Sequence, residues 1–247
     1  MMAVMLLSAS LFGQALKFIG DNGQIPGVSV PTLLSLTLQT LKIAGIGIGL
    51  ALVIALPIGL WLGHIHRGSF VAINLGNVWR SLPSLAVLAI GVAFLGVGLS
   101  NVELALVVLA VPPVITNAYV AIDGVDRDIV DSARGMGLTE WQVLRHVELP
   151  LGVPLIFAGI RTAALFVVST TTIASLTGFS GSLGDIINNE ASYHLSGVLG
   201  AAIVIAALAL AVEFTLAGVQ RVLTPKGVKA AGGGDASAAL VPVGAEA

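Results

Sequence analysis

The chain contains no cysteine among its 247 residues, and only 10% of them are charged. The absence of cysteine excludes a disulfide framework and a thiolate metal site. The scarcity of charge, with a formal net charge of −2, excludes the basic surface that a nucleic-acid-binding protein needs. Hydrophobic residues make up 56% of the chain, against roughly 45–50% in soluble domains. The composition therefore predicts that membrane lipid surrounds most of the molecule.

Long uncharged runs are the dominant pattern, and about 20 apolar residues suffice for a helix to cross the hydrocarbon core. Five such runs predict an all-α membrane protein with about five transmembrane helices, at residues 43–62, 82–99, 104–122, 162–179 and 198–219. Lysine and arginine concentrate in the connections after the first, third and fifth runs. The positive-inside rule then predicts a protein of the cell membrane, with its C-terminus in the cytoplasm and its N-terminus outside.

The two ends of the chain differ from this central domain, which we assign to residues 31–225. Residues 1–30 are predicted to form a helix in the outer membrane interface followed by a lead-in, because their apolar residues share one helical face opposite Gln14 and Lys17. A sixth span and a signal peptide are the alternatives, although no positive region precedes the apolar run. Residues 226–247 lack periodicity and predict a disordered tail.

The segment between the third and fourth runs, residues 123–148, holds nine of the 24 charged residues. Ile129, Ala133 and Met136 recur at helical spacing and predict a short amphipathic helix. Gly135 and Gly137 predict its end, and Thr139 with Gln142 predicts a capping box that begins a second helix. A merely solvated loop is the alternative. Exposed apolar residues, expected at Ile129, Val130, Met136 and Leu138, favour a docking surface for a partner protein.

The same segment reads Asp131-Ser132-Ala133, three residues, Gly137, nine residues, then Val147-Glu148-Leu149-Pro150. It resembles the Glu-Ala-Ala loop signature of binding-protein-dependent ABC importer permeases, with conservative replacements and matching spacing. The sequences at 77–89 and 158–164 are similar to the osmoprotectant branch, whose solutes are quaternary amines such as glycine betaine, choline and carnitine.

The resemblance implies the type I ABC importer permease fold, similar to that of the methionine importer, and a coupling helix that docks on a separate ATPase. The implied coupling residues are Asp131, Ser132, Ala133, Gly135, Met136, Gly137, Leu138, Leu149 and Pro150. The small ones, Ser132, Ala133 and Gly137, would let the partner approach closely. The chain itself would not be an enzyme, because it lacks a phosphate-binding G-x-x-x-x-G-K-[ST] motif. It would hold no cofactor, ATP and Mg²⁺ being bound by the ATPase.

Five spans are too few to enclose a solute path, so a second permease chain, identical or paralogous, is expected. An extracytoplasmic binding protein would deliver the solute and set most of the specificity, because only three Trp and two Tyr are present for an aromatic cage. An amino acid or another small zwitterion is the alternative solute. Hydroxyl-rich residues in the fourth run predict the path, at Ser169, Thr172 and Ser175, with Asn77 and Ser81 as weaker candidates. Hydrogen bonds to the helix backbone would equally explain these hydroxyls.

Glu213 is the one acid inside a predicted span, where an unpaired charge is costly, and Arg161 is its predicted partner. Gly45 and Gly49 are predicted to let helices pack closely. His64 and His66 are interpreted as membrane-interface anchors, since two histidines are too few for a zinc site. A remote alternative function is an intramembrane serine protease that uses Ser180 and His194.

Overall fold

The computed structural model describes residues 2–24, 31–70, 74, 76 and 81–225, and every regular element in these ranges is helical. The predicted C-terminal tail and Asn77 lie outside them. The helices are α1 (Met2–Gly20), α2 (Leu33–His64), α3 (Ser84–Leu95), α4 (Leu99–Asp123), α5 (Arg127–Gly135), α6 (Glu140–Val143), α7 (Leu149–Ile173), α8 (Gly184–Asn188) and α9 (Glu190–Leu223). A π-helical turn (Leu144–Glu148) joins α6 to α7, and a 3₁₀ turn (Ala174–Thr177) extends α7.

Four segments of the described chain are long and apolar enough to cross a membrane: α2, α4, Glu140–Thr177 and α9. The second predicted span, 82–99, instead contains the 12-residue helix α3. At 1.5 Å per residue α3 is about 18 Å long, short of the roughly 30 Å hydrocarbon core. Pro83 precedes it, and Gly96 ends it with φ +76°. The uncharged run of residues 82–99 is therefore longer than its helix, and the helix alone is too short to span the hydrocarbon core.

A stripe of small residues lets α2 and α4 pack closely, and it recurs every four residues along α2 at Gly47, Ala51, Ala55, Gly59 and Gly63. A Cβ atom placed on Gly59 would lie 2.7 Å from Cβ of Ala118, and one on Gly63 would lie 2.8 Å from the carbonyl oxygen of Tyr119. The two backbones are therefore nearly in contact.

The close-packing prediction at Gly45 and Gly49 is wrong. A Cβ atom at either position would meet open space, whereas Gly47, between them, faces Leu106. In an uninterrupted apolar run, the sequence pattern did not show which glycine faces a neighbouring helix.

Helix α1 packs its second half against the first half of α9. The ring of Phe18 stands edge-on to Tyr193, with ring centroids 6.2 Å apart, and a Cβ atom on Gly200 would lie 2.8 Å from Cδ1 of Phe18. Ala15 is buried in this contact, while Phe12 and Leu16 are exposed. The position of α1 in the outer interface stays a prediction.

Candidate coupling site and solute path

Helix α5, the expected coupling helix, is capped by Asp126, whose side chain accepts a hydrogen bond from the backbone N–H of Asp128 at 2.9 Å. It ends in a Schellman-type turn, in which Leu138 N–H donates to the Ala133 carbonyl and Gly137 takes φ +88°. This turn confirms the predicted helix end. The predicted capping box is also confirmed, because Thr139 N–H donates to Oε1 of Gln142 at 2.8 Å. The two short helices are thus joined by a turn that is hydrogen-bonded at both helix ends.

The inner face of α5 is apolar and fills a small core of its own. Val130 and Ala133 are each 2% exposed and pack with Val125 and Val143. Two expectations are therefore wrong, because Val130 is not part of an exposed surface and Ala133 cannot touch a partner. Both residues pack in the cluster that joins α5 to Val143 of α6 and to Leu151 of α7.

The outer face of the same element is exposed. Met136 is 75% exposed, Trp141 65% and Ile129 46%, and we call these three residues the docking patch. Asp131, Ser132, Gly135 and Gly137 are exposed beside it, whereas Leu138, Leu149 and Pro150 are half-buried. Large apolar side chains that face solvent next to charged groups are typical of a surface that a partner covers.

Behind the docking patch, a chain of five polar side chains runs from α5 into the membrane domain. Nη1 of Arg134 lies 3.3 Å from Asp131, and its Nη2 lies 2.9 Å from Glu140. Glu140 lies 3.3 Å from Nε2 of His64, and Nδ1 of His64 lies 2.6 Å from Glu148. We call these residues the coupling network. The hydrogen bond to Glu140 raises the pKa of Arg134, so Arg134 remains a cation.

The inner end of the coupling network is buried. Glu148 is fully buried and His64 is 7% exposed, and Oε1 of Glu148 has no hydrogen-bond partner among the described residues. His66 pairs with Asp123 nearby, at 2.7 Å. Each of these two histidines binds a carboxylate, and their role as membrane-interface anchors stays a prediction. Eighty-four residues separate His64 from Glu148, and no local pattern marks the pair.

The predicted ion pair lies between α7 and α9. Nε of Arg161 donates to Oε1 of Glu213 at 2.8 Å, and Nη1 donates to Gln220 at 3.1 Å. Gln220 also approaches the carbonyl oxygen of Pro154, at 3.4 Å. The C-terminal end of α9 is thereby held beside the start of α7, near the coupling network.

The hydroxyl groups predicted to line a solute path bond mainly to their own helix. Thr172 donates to the Val168 carbonyl at 3.2 Å and Ser175 donates to the Thr172 carbonyl at 3.1 Å. Ser175 is buried beneath α8, where Asn188 donates to its carbonyl. Ser169 and Ser81 are exposed. Backbone bonding accounts for the hydroxyls of Thr172 and Ser175, and a role of any of these residues in a path stays a prediction.

The serine and histidine of the protease alternative lie apart in the described residues. Both Ser180 and His194 are exposed, and no hydrogen bond is formed between them in the described part of the chain. His194 has φ +57° at a kink inside α9. A general base must be within hydrogen-bonding reach of its nucleophile, so this arrangement does not support the chemistry.

Comparison with known proteins agrees with this geometry. Residues 47–227 match the family model described as the inner membrane component of binding-protein-dependent transport systems. The chain is 35% identical over 217 residues to the glycine betaine/carnitine/choline transport system permease protein OpuCB of Bacillus subtilis, covering 87% of this chain and 96% of that protein. It is 38% identical over 215 residues to the carnitine transport permease protein OpuCB of Listeria monocytogenes, covering 87% and 95%.

Solved structures show the same fold. A chain of the inward-facing MetNI methionine ABC transporter superposes with a TM-score of 0.67 and 21% identity, covering 78% of this chain and 96% of that one. A chain of an amino acid ABC transporter solved with histidines superposes with a TM-score of 0.61 and 19% sequence identity. The match covers 78% of this chain and 99% of that one. The type I importer permease fold expected from the coupling loop is therefore confirmed.

The family consists of permease subunits and not of catalytic ones, which overturns the protease alternative. The family match covers more than half of the chain and includes α5, the coupling network and the ion pair of Arg161 with Glu213. The chain is therefore a multi-pass inner-membrane permease subunit of an ABC importer, and belongs to the family of binding-protein-dependent transport system inner membrane components.

Proposed function

We propose that this permease forms, with a second permease chain, the path for a quaternary ammonium osmoprotectant such as glycine betaine or choline. A separate ATPase binds ATP and Mg²⁺ and docks on α5, and this chain holds no cofactor. An extracytoplasmic binding protein delivers the solute. The observation that carries the proposal is the docking patch, which stands on a helix-turn-helix connected to the membrane helices by the coupling network.

The arrangement supports alternating access. A force on α5 reaches α2 through Glu140 and His64, and reaches α7 through Glu148 in the turn that precedes it. Closure of two ATPase subunits would push two copies of α5 together and tilt these helices. Relatives named for betaine, carnitine and choline support the solute class. An amino acid is the second candidate, supported only by structural neighbours named for methionine and amino acids.

Replacing Met136 with glutamate should abolish copurification of the ATPase with the permease, because a charge would be placed in the apolar contact. Val222 is a matched control, since it is 83% exposed at the end of α9 but lies outside the docking patch. The measurement is the amount of ATPase retained by the affinity-tagged permease. Equal retention by Met136→Glu, Val222→Glu and the unaltered chain would reject docking at this patch.

We further propose that the coupling network faces the cytoplasm and that the connection between α8 and α9 faces outward. The native chain has no cysteine, so a single introduced cysteine is the only site for a maleimide. Glu190→Cys should react with a membrane-impermeant maleimide in intact cells, and Met136→Cys only after permeabilisation. The gel shift on labelling measures both. Labelling of Met136→Cys in intact cells would contradict the proposed orientation.

A further inference from the structure

A cavity of about 340 Å³ lies near the N-terminal end of α2, between α2, α4 and the connection that follows the 3₁₀ turn. Its polar and aromatic wall comprises Gln39, Lys42, Glu103, Phe179, Ser180 and Gly181. The volume lies within the range of roughly 300–1,000 Å³ usual for small-molecule sites. Lys42 precedes His64 by 22 positions on α2, so the cavity is about 33 Å along the helix from the coupling network.

The connection that closes this cavity is held in place by its own hydrogen bonds. Leu183 N–H donates to Oγ1 of Thr40 on α2 at 3.0 Å, and Gly181 N–H donates to Asp185 at 2.6 Å. Burial raises the pKa of Asp185, whose carboxylate is directed at the backbone of the connection. The wall formed by Phe179, Ser180 and Gly181 is thus fixed against α2.

Glu103 is the unusual group in the wall. Both of its carboxylate oxygens are buried, and neither has a hydrogen-bond partner in the part of the chain that the structure describes. A carboxylate buried without a partner is costly. Lys42 lies on the same cavity with an exposed side chain, yet forms no ion pair with Glu103 in the described structure. The cavity is therefore lined by an acid and a base that do not pair with each other in the described structure.

An unpaired acid and an unpaired base that line one small cavity of the described structure match a molecule that carries both charges at its two ends. We propose that Glu103 and Lys42 form a two-point site for a small zwitterion, with the cationic group of the solute at Glu103 and its carboxylate at Lys42. Phe179 adds an aromatic ring, which favours a cation. The inference rests on the proposed function and assigns to this permease a solute-selective site of its own, separate from the binding protein.

Glycine betaine and choline distinguish the two halves of the site, because both carry a quaternary ammonium but only betaine has a carboxylate. Glu103→Gln should weaken binding of both solutes about tenfold, as expected for loss of a charged partner. Lys42→Met should weaken betaine about tenfold and leave choline within about twofold. Matched controls are Glu190→Gln and Lys17→Met, which alter exposed residues outside the cavity wall.

The experiment measures retention of radiolabelled glycine betaine and choline by the permease–ATPase complex in nanodiscs without the binding protein, beside transport by the complete system. Weaker retention of glycine betaine, but not of choline, by Lys42→Met supports the site. Unchanged retention in both cavity variants, or an equal loss of both solutes in Lys42→Met, overturns it. An unaltered complex that transports betaine but retains none also overturns it. Failure of the unaltered system to transport either solute would instead reject the proposed function.

Discussion

Replacement of His64 with leucine should lower the free energy of unfolding of the purified permease by about 3 kcal/mol. The leucine would leave the fully buried Glu148 with neither carboxylate oxygen bonded, because Oε1 has no partner already and Oε2 bonds only to His64 in the described structure. Removing one member of a buried pair costs more than the pair contributes, since the remaining charge cannot be solvated. Thermal unfolding in detergent measures the loss.

Two variants test this explanation. The double variant His64→Leu/Glu148→Leu should recover most of the stability, because it removes the stranded carboxylate as well. His66→Leu should cost less than about 1 kcal/mol, since His66 and Asp123 are 20% and 34% exposed. Similar losses in His64→Leu and His66→Leu, or a double variant no more stable than the single one, would show that burial of Glu148 is not the cause.

The same substitution should also affect transport. His64 provides a polar connection from α5, by way of Arg134 and Glu140, to α2 and to Glu148 in the turn before α7. Without His64, α5 has fewer contacts through which its movement can reach the membrane helices. Solute transported per ATP hydrolysed should therefore fall in His64→Leu and stay near the unaltered value in His66→Leu.

Gly59→Val should destabilise the permease by about 2 kcal/mol or more, because overpacking of a close helix contact forces the backbones apart. A Cβ atom at Gly59 would lie 2.7 Å from Cβ of Ala118 and 2.9 Å from the carbonyl oxygen of Ile115, and neither neighbour can rotate away. The measurement is the temperature at which the detergent-solubilised protein loses its monodisperse peak in size-exclusion chromatography.

Gly45→Val is the matched control on the same helix. It introduces the same β-branched residue with the same helix propensity, but a Cβ atom at Gly45 meets nothing within 4 Å. Its effect should be small. If both valine variants unfold at the same temperature, helix propensity and not the contact between α2 and α4 governs stability at Gly59.

Local chemistry made the coupling loop predictable from sequence. The stop at Gly137 and the cap at Thr139 depend on residues within a few positions of each other, and both form as expected. Arg161 was identified as the partner of Glu213 because a lone acid in a span demands one, and the structure brings the two side chains together.

Features that depend on distant parts of the chain were not predictable in the same way. Helix α2 is apolar on all sides from residue 43 to residue 63, so hydrophobicity could not show that Gly47 and not Gly45 faces α4. The bond between His64 and Glu148 joins residues far apart in sequence, and the absence of charge around α3 concealed its short length. Periodicity describes one helix, whereas these features are set by its neighbours.

The packing of Phe18 against Tyr193 and Gly200 has a consequence for biogenesis. The ribosome makes α1 before α9, so the contacts of α1 with α9 can form only late in synthesis, whereas Phe18 also packs with Leu33 and Leu36 of α2. Helix α1 therefore gains the α9 part of its packing surface last among these contacts. The contact between α1 and α9 thus joins two helices far apart along the chain and can complete only after the helices between them have been made.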